Sequence, residues 1–464
     1  MARTQVSPAL LEKYRTSAPR YTSYPTAVDW DKESFDPASY TERLAEASKK
    51  TDALSVYVHL PFCAEMCLYC GCNVIITRSE VRVENYLRHL EREFQTVAES
   101  GVAQRPVRQY HWGGGTPTHL NIEQIQRVSG WFNKAFTLAE GAEVAIEVDP
   151  RVTTAEQIEV LAGLGFNRVS MGVQDFELDV QKAIKRVQSR EQTQAIFDAS
   201  RANGIASVNM DLIYGLPHQT REGFARTVET TIEMRPERVA LFHYAHVPWL
   251  KKHMEALDMD AAPNSATKLE IFVDATERFL EAGYVYLGLD HFALPDDDLA
   301  LALGEGKLHR NFMGYTTRSG SDMISLGVSS IGEVDGCFAQ NTPVESDYLK
   351  LIDERGFATM RGHRLSADDR LRRDVILGLM CNGRLAKAPI EKTHGIVFDV
   401  TFAKQLLALE PLAQDGLVEL LPDRLQLTEL GQMFMRNVAL PFDTYFAARA
   451  ARGKDGKQTF SKTL

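Results

Sequence analysis

Four cysteines, Cys63, Cys67, Cys70 and Cys72, fall within ten residues of each other, while Cys337 and Cys381 stand alone. The first three form a Cys-x3-Cys-x2-Cys run, and on a short loop such thiolates can face inward around one object. Soft sulfur donors select zinc, copper(I) or an iron–sulfur cluster. A structural zinc needs a fourth ligand, which Cys72 or His59 could supply. The alternative is a [4Fe–4S] cluster with three irons held by cysteine and one left open. An open iron can chelate a molecule that carries both an amine and a carboxylate, and S-adenosylmethionine is one. An electron passed into its sulfonium cleaves a C–S bond and yields a 5′-deoxyadenosyl radical. The cofactors then carry the hard chemistry, and the protein supplies position and exclusion. Cys337 and Cys381 read as ordinary buried thiols.

Two further features could serve such a site. Gly113-Gly114-Gly115 offers backbone unscreened by side chains, and Glu147 offers a carboxylate that could accept from ribose hydroxyls. Taken alone, the first is a tight turn and the second a solvated acid.

These residues need elements to hold them. Apolar runs bounded by turn residues predict strands at 55–60, 109–112, 144–148, 168–173, 207–213, 238–242 and 285–289. Helical periodicity predicts helices at 82–98, 122–134, 155–164, 180–203, 221–234 and 267–282. Strands separated by helices mean βαβ units and a parallel sheet, so the fold class is α/β, a full or partial (β/α) barrel. In such barrels chemistry sits at the C-terminal ends of the strands, where the cysteine run, the glycines and Glu147 all fall. Residues 1–54 read as an N-terminal arm, with a turn-rich extended stretch at 19–26. The barrel core takes 55–294, and 295–360 is an irregular, Gly-rich extension. Residues 361–464 read as a smaller, mostly helical unit in which 417–420 and 425–427 flank Pro422-Asp423-Arg424 as a hairpin. That pattern is winged-helix-like, and a cap is favoured over a nucleic-acid reader because no basic face accompanies it. The tail from Arg452 is expected to fray.

Composition sets outer bounds. The chain has 464 residues, 44% hydrophobic and 25% charged, with a net charge of −10. These values exclude a disordered chain and a disulfide-framed miniprotein. The acidic balance argues against non-specific nucleic-acid binding, which relies on clustered cations. The N-terminus lacks an apolar signal segment, and no apolar run is long enough for a membrane span. A cytoplasmic protein is the expectation.

The cysteine loop after strand one of a β/α repeat resembles the radical S-adenosylmethionine superfamily. The resemblance narrows at His59-Leu60-Pro61-Phe62-Cys63, Cys70-Gly71-Cys72-Asn73, His111-Trp112-Gly113-Gly114-Gly115-Thr116-Pro117-Thr118, Ser170-Met171-Gly172-Val173-Gln174-Asp175-Phe176 and Asp211-Leu212-Ile213-Tyr214-Gly215-Leu216-Pro217. With the 20–26 arm and the 310–317 segment, these motifs are similar to those of the oxygen-independent coproporphyrinogen III dehydrogenases.

The resemblance implies oxidative decarboxylation of two propionates of coproporphyrinogen III to vinyls, giving protoporphyrinogen IX in haem biosynthesis. It implies a [4Fe–4S] cluster on Cys63, Cys67 and Cys70, with Cys72 present but not an iron ligand. It implies two S-adenosylmethionine molecules. Tyr57, Gly114, Gly115, Thr116, Glu147 and Ile331 would serve the cluster-bound one, Tyr57 also acting catalytically at the propionate. Tyr69, Gln174, Arg186, Asp211 and Ala245, with Gly115 and Thr116, would serve the second. Arg186 falls in the stretch read as helix, where by sequence alone it would be a surface residue. Partners implied are an electron donor such as flavodoxin or ferredoxin and an unidentified electron acceptor, in a monomer. A tetra-anionic substrate in an acidic protein calls for local cations, and Arg20, Arg310 and Arg318 are the candidates. Two departures stand out: Met313 where some members have Gln, and Tyr69 where some have Phe. A haem-binding chaperone and a radical methyltransferase are the rivals; the 20–26 arm argues against both, and Cys72-Asn73 further against the chaperone.

Overall fold

Strand β1 (Leu54–Leu60) is buried along nearly its whole length, as a parallel strand covered on both faces must be. Five parallel strands follow it in chain order: β2 (Pro106–Gly114), β3 (Thr137–Val148), β4 (Arg168–Gln174), β5 (Ser207–Tyr214) and β6 (Arg238–His243). Each pairs in parallel with the one before. On the other side of β1 lies β7 (Met323–Leu326), also parallel. Antiparallel strands β8 (Ile331–Val334), β9 (Cys337–Asn341) and β10 (Thr359–Arg364) extend the sheet beyond it. The outer parallel strands β6 and β7 are not paired with each other, so the barrel is partial.

The crossovers start where local sequence tells them to. Helices α1 (Glu80–Glu99), α2 (Ile122–Ala135), α3 (Ala155–Gly163) and α4 (Arg190–Ala202) open on Ser79, Asn121, Thr154 and Ser189, each accepting a backbone N–H in the first turn. In the last three a Gln three residues on completes a capping box. Each cap is worth about 1 kcal/mol and fixes where the loop from the preceding strand must end. Helix α1 also ties β1 to the antiparallel extension. Tyr86 donates to the His59 carbonyl at 2.8 Å and accepts the Val328 N–H at 3.0 Å. Buried Glu93 accepts from the Gly327 N–H, Asn341 and Tyr348 at 2.7, 2.7 and 2.8 Å.

The structure is a computed structural model that describes residues 7–30, 35–317, 320 and 322–451. They gather into two compact units, neither continuous in sequence. The sheet just described belongs to the unit made of 31–283 and 320–364. The other comprises 1–30, 284–319 and 365–464. Its core is aliphatic and aromatic, with Val375, Leu379, Met380, Phe398, Phe402, Leu409 and Phe442 fully or almost fully buried. Tyr21 and Tyr24 of the turn-rich arm pack into that core. Tyr21 donates to Asp443 and Tyr24 bonds Thr444, each at 3.0 Å. The expected hairpin is present as Val418–Leu420 and Arg424–Leu427, with Arg384–Ala386 added as a third antiparallel strand.

Three expectations need correction. The run at 180–203 is two helices, Leu178–Ala183 and Arg190–Ala202, broken by a turn in which Lys185 has φ +53°. Residues 295–360 are not irregular: they contain helix Asp298–Glu305, β7, β8, β9 and helix Glu345–Arg355. The strand expected at 285–289, Val285–Gly288, pairs antiparallel with His291–Ala293 and does not continue the parallel series. Arg318 and the tail from Arg452 lie outside the described residues.

Candidate active site

A short strand at Phe62–Cys63 pairs with Ile75–Ile76 and pins both ends of the loop that carries the other three cysteines. Within it the Cys70 N–H closes a turn on the Cys67 carbonyl at 3.2 Å. Cys63, Cys67, Cys70 and Cys72 all line one cavity of about 800 Å³, within the range of small-molecule sites. Gly114, Gly115, Thr116, Glu147, Asp149, Arg151, Ser170, Gln174, Arg186 and Asp211 share its wall with Tyr69. The parallel strands therefore bring together the cysteine loop, the end of β2, the end of β3, the end of β4 and the middle of β5.

The thiols differ in their surroundings. Cys67 is buried and receives Arg151 Nη2 at 3.4 Å and Arg186 Nη1 at 3.7 Å on its sulfur. Cys63 has Thr116 Oγ1 at 3.4 Å, yet burial pushes its thiol up to about 11. Cys70 is brought down to about 6 by Cys72 beside it, and that contact together with burial holds Cys72 well up. Among the described residues no three His, Cys, Asp or Glu side chains converge as a single metal ion requires. Three thiols on the wall of one cavity, with two guanidiniums donating to one of them, fit a polynuclear anionic cluster.

The glycines are set by close approach. A Cβ on Gly114, which has φ +120°, would sit 2.7 Å from the His59 ring. One on Gly115 would sit 2.6 Å from the Pro61 carbonyl. Glu147 lies alongside, accepting the Gly114 N–H at 3.1 Å and His111 Nε2 at 3.4 Å. Burial works against its ionisation, but the His111 bond and charge win and hold the carboxyl below its usual range. Asp211 goes the other way: burial pushes it up to about 7 despite bonds from Asn209 at 2.7 Å and Ser170 at 3.4 Å. Gln174 occupies φ +70° at the end of β4, a conformation side chains adopt only when surroundings dictate it.

Arg186, which the resemblance assigns to the second S-adenosylmethionine, is on the cavity wall although its stretch of sequence reads as a surface helix. It is buried, not a surface helix residue, and bonds Asp149 at 2.8 Å and the Gly172 carbonyl at 2.6 Å. Arg151 pairs with the same Asp149 at 2.7 Å, so one carboxylate orients two cations toward Cys67. Burial opposes the Asp149 charge, and Arg186 and Arg151 outweigh it and keep that carboxyl low. Asp149 and Arg151 were not among the sequence candidates, although Asp149-Pro150-Arg151 directly follows a strand end.

Tyr57, Ala245 and Ile331 do not line the cavity. Tyr57 stacks on His111, ring centres 5.8 Å apart, and His111 reaches Glu147. Ala245 is exposed on the loop after β6, and Ile331 starts β8 with its carbonyl bonded by Ser325. Arg20 pairs with Asp290, and Arg310 lies over the Tyr315 ring at 5.0 Å; both belong to the other unit.

Residues 57–231 match the radical SAM superfamily model, and residues 365–434 match that of the HemN C-terminal domain. The chain is 43% identical over 456 residues to the oxygen-independent coproporphyrinogen III oxidase of Escherichia coli, covering 98% of each. It is 41% identical to that of Synechocystis, covering 99% of this chain and 98% of the relative. Coproporphyrinogen III oxidase (HemN) from Escherichia coli, a solved structure, superposes with a TM-score of 0.91 at 41% identity, covering 96% of this chain and all of that one.

Proposed function

The chain belongs to the oxygen-independent coproporphyrinogen III oxidase family, and on that footing we propose how its cavity residues divide the work. The enzyme is a radical S-adenosylmethionine oxidoreductase that converts two propionates of coproporphyrinogen III to vinyls, giving protoporphyrinogen IX in haem synthesis. When bound, its [4Fe–4S] cluster and S-adenosylmethionine supply the radical that takes a hydrogen atom from the propionate side chain.

Cys63, Cys67 and Cys70 hold the cluster. Arg151 and Arg186 donate to the Cys67 sulfur and stabilise the added negative charge of the reduced state. The Gly114–Gly115 backbone, with Thr116, makes the platform for the methionine end of the cofactor. Glu147, kept ionised by His111, accepts from ribose hydroxyls. Gln174, Arg186, Asp211 and Tyr69 line the part of the cavity assigned to a second S-adenosylmethionine, to which we also assign Ala245. Ile331 completes the first cofactor's contacts from β8. Tyr57 sits behind Glu147 and His111 and holds His59, so its part is to order that wall and to meet the propionate end. The buried Arg310 keeps Nε and Nη1 without a hydrogen-bond acceptor, which makes it a better propionate partner than Arg20, whose charge Asp290 already answers.

The donor is a one-electron carrier such as flavodoxin or ferredoxin, and the acceptor of the electron released with CO2 is a second small or protein oxidant. No helix among the described residues is long and apolar enough to cross a membrane, and we place the enzyme in the cytoplasm as a monomer. We keep 1–54 as arm, 55–294 and 295–360 as catalytic region and 361–464 as cap in functional terms.

The observation that carries this assignment is the shared cavity wall: three thiols, the Gly114–Gly115 turn and Glu147 at the same end of a parallel sheet. The test is an anaerobic assay of the reconstituted enzyme with reductant, S-adenosylmethionine and coproporphyrinogen III. Substrate-dependent 5′-deoxyadenosine and a protoporphyrin product, both absent with Cys67→Ala, are expected. Cofactor cleavage with no change in the porphyrinogen, even with added extract, would refute the assignment.

A further inference from the structure

Among the described residues Trp249 is the one exposed aromatic side chain, at 53% of its surface, and its neighbour Leu250 is 70% exposed. Neither lines the cavity. The pair is not on a loose loop. The Leu250 and Lys251 N–H groups both bond the Val247 carbonyl, at 2.9 and 3.0 Å. Just beyond, Met254 and Leu257 are buried in one apolar cluster with Leu68 of the cysteine loop.

The same turn is bonded to the backbone of that loop. Lys251 Nζ donates to the Cys72 carbonyl at 2.7 Å, and His253 Nε2 donates to the Cys70 carbonyl at 2.8 Å. The exposed indole and leucine thus stand four and three residues from His253, whose hydrogen bond goes to the main chain of the thiol ligand Cys70. Trp is among the residue types most enriched at protein-binding hot spots. The chain carries −10 overall, so an acidic partner is repelled by the molecule as a whole and needs a local cationic patch. Lys251 and Lys252 provide it here.

The activity requires an electron donor, since the cluster must be reduced from outside. We propose that the Val247–His253 turn is the docking point for an acidic one-electron carrier protein. Trp249 and Leu250 supply the apolar contact, Lys251 and Lys252 the charge, and the Lys251 and His253 hydrogen bonds a short route to the cysteine loop. In each encounter the reduced carrier loses one electron and the oxidised cluster gains it. The proposal rests on Cys63, Cys67 and Cys70 holding that cluster.

The test compares two reductants on holoenzyme: reduced flavodoxin, an acidic flavoprotein, and dithionite, which needs no docking surface. Cluster reduction is followed by electron paramagnetic resonance, and flavodoxin affinity by titration, in Trp249→Ala and Lys252→Glu. The expected result is an affinity and a flavodoxin-driven rate at least tenfold lower, with dithionite reduction unchanged. Unchanged flavodoxin kinetics, or an equal fall with both reductants, would overturn the proposal. So would a dimer of the wild type that Trp249→Ala dissolves, since the patch would then serve a second copy. Cys67→Ala separates the two levels: if it retains a reducible cluster, the assignment of the ligands fails, whatever Trp249 does.

Discussion

The Tyr57 hydroxyl donates to His59 Nδ1 at 3.0 Å, which leaves His59 Nε2–H to bond the Asn73 carbonyl, also at 3.0 Å. The imidazole is thereby held in one tautomer, and burial lowers its basicity so that it stays neutral. The chain runs from β1 to the far end of the cysteine loop, and its ring packs where a Gly114 side chain would go. Tyr57→Phe removes the donor and leaves the stack on His111 intact. Turnover of coproporphyrinogen III is expected to fall roughly tenfold or more, the energy of about one hydrogen bond in a buried site. Bound iron per chain should stay at the wild-type level, because no thiol moves. Iron loss in Tyr57→Phe would make Tyr57 a loop anchor and nothing more.

Glu147 makes two separable kinds of bond, one to the Gly114 N–H and His111 and one offered to the cavity. Glu147→Gln keeps an oxygen for the Gly114 N–H and loses the charge. A charge-assisted pair of bonds to a ribose diol becomes a neutral one, which is worth about 10- to 100-fold in affinity. The apparent KM for S-adenosylmethionine should rise by that factor. Cluster absorbance and the affinity for coproporphyrinogen III should not change. A loss confined to turnover, with the KM for S-adenosylmethionine untouched, would remove Glu147 from cofactor binding.

The parallel repeat was legible because its signals are local: strand and helix periods differ, and turn residues mark each switch. The cysteine loop was legible because its spacing is compact. Arg186 was not, since it sits in a run whose composition suits a helix, and only the reversal at Lys185 turns it inward. Strands β7 to β9 were missed because each has four or five residues and their pairing is with β1 and with one another, which no window of sequence shows. Arg151 and Asp149 acquire their role only when β3 and the cysteine loop meet. His253 lies 183 residues from the carbonyl it bonds, and nothing near it in sequence announces that contact.

Glu93 gives the fold a measurable pH dependence. Burial pushes its carboxyl up to about 7, against the pull of the Gly327 N–H, Tyr348 and Asn341. A folded-state value above the unfolded one means folding takes up a proton. The associated stability is fully present below about 4.5 and lost as pH rises through about 7. Glu93→Gln should be less stable at pH 5, where the wild type is protonated and better fitted. It should also lose less between pH 5 and 8, by an amount on the order of 2–3 kcal/mol. Asp211 shifts in the same direction and leaves a residual slope in the variant. Denaturant melts of both proteins at several pH values measure the difference; parallel profiles would show that Glu93 titrates normally.

Arg436 straps the arm within its own unit. Its Nε bonds the Pro19 carbonyl at 3.2 Å, its Nη2 bonds that of Ala18, and Asn437 bonds that of Tyr14 at 2.9 Å. The two carbonyls facing Arg436 point into a buried region where water cannot replace the guanidinium. Arg436→Met fills similar volume and leaves both without a donor, at about 1–3 kcal/mol each. The unit's aromatic core, with Tyr21 and Tyr24 buried in it, should persist, so the cost should appear as local opening of the arm and not as global unfolding. Under conditions where opening is fast relative to cleavage, proteolysis reports the open population directly. Trypsin cleavage after Arg15 and Arg20 is therefore expected to accelerate at least tenfold in Arg436→Met, while the global melting transition shifts far less. If cleavage there keeps the wild-type rate, the arm's other bonds, among them Tyr21–Asp443, Tyr24–Thr444 and Asn437–Tyr14, are enough to hold it, and Arg436 has no strapping role.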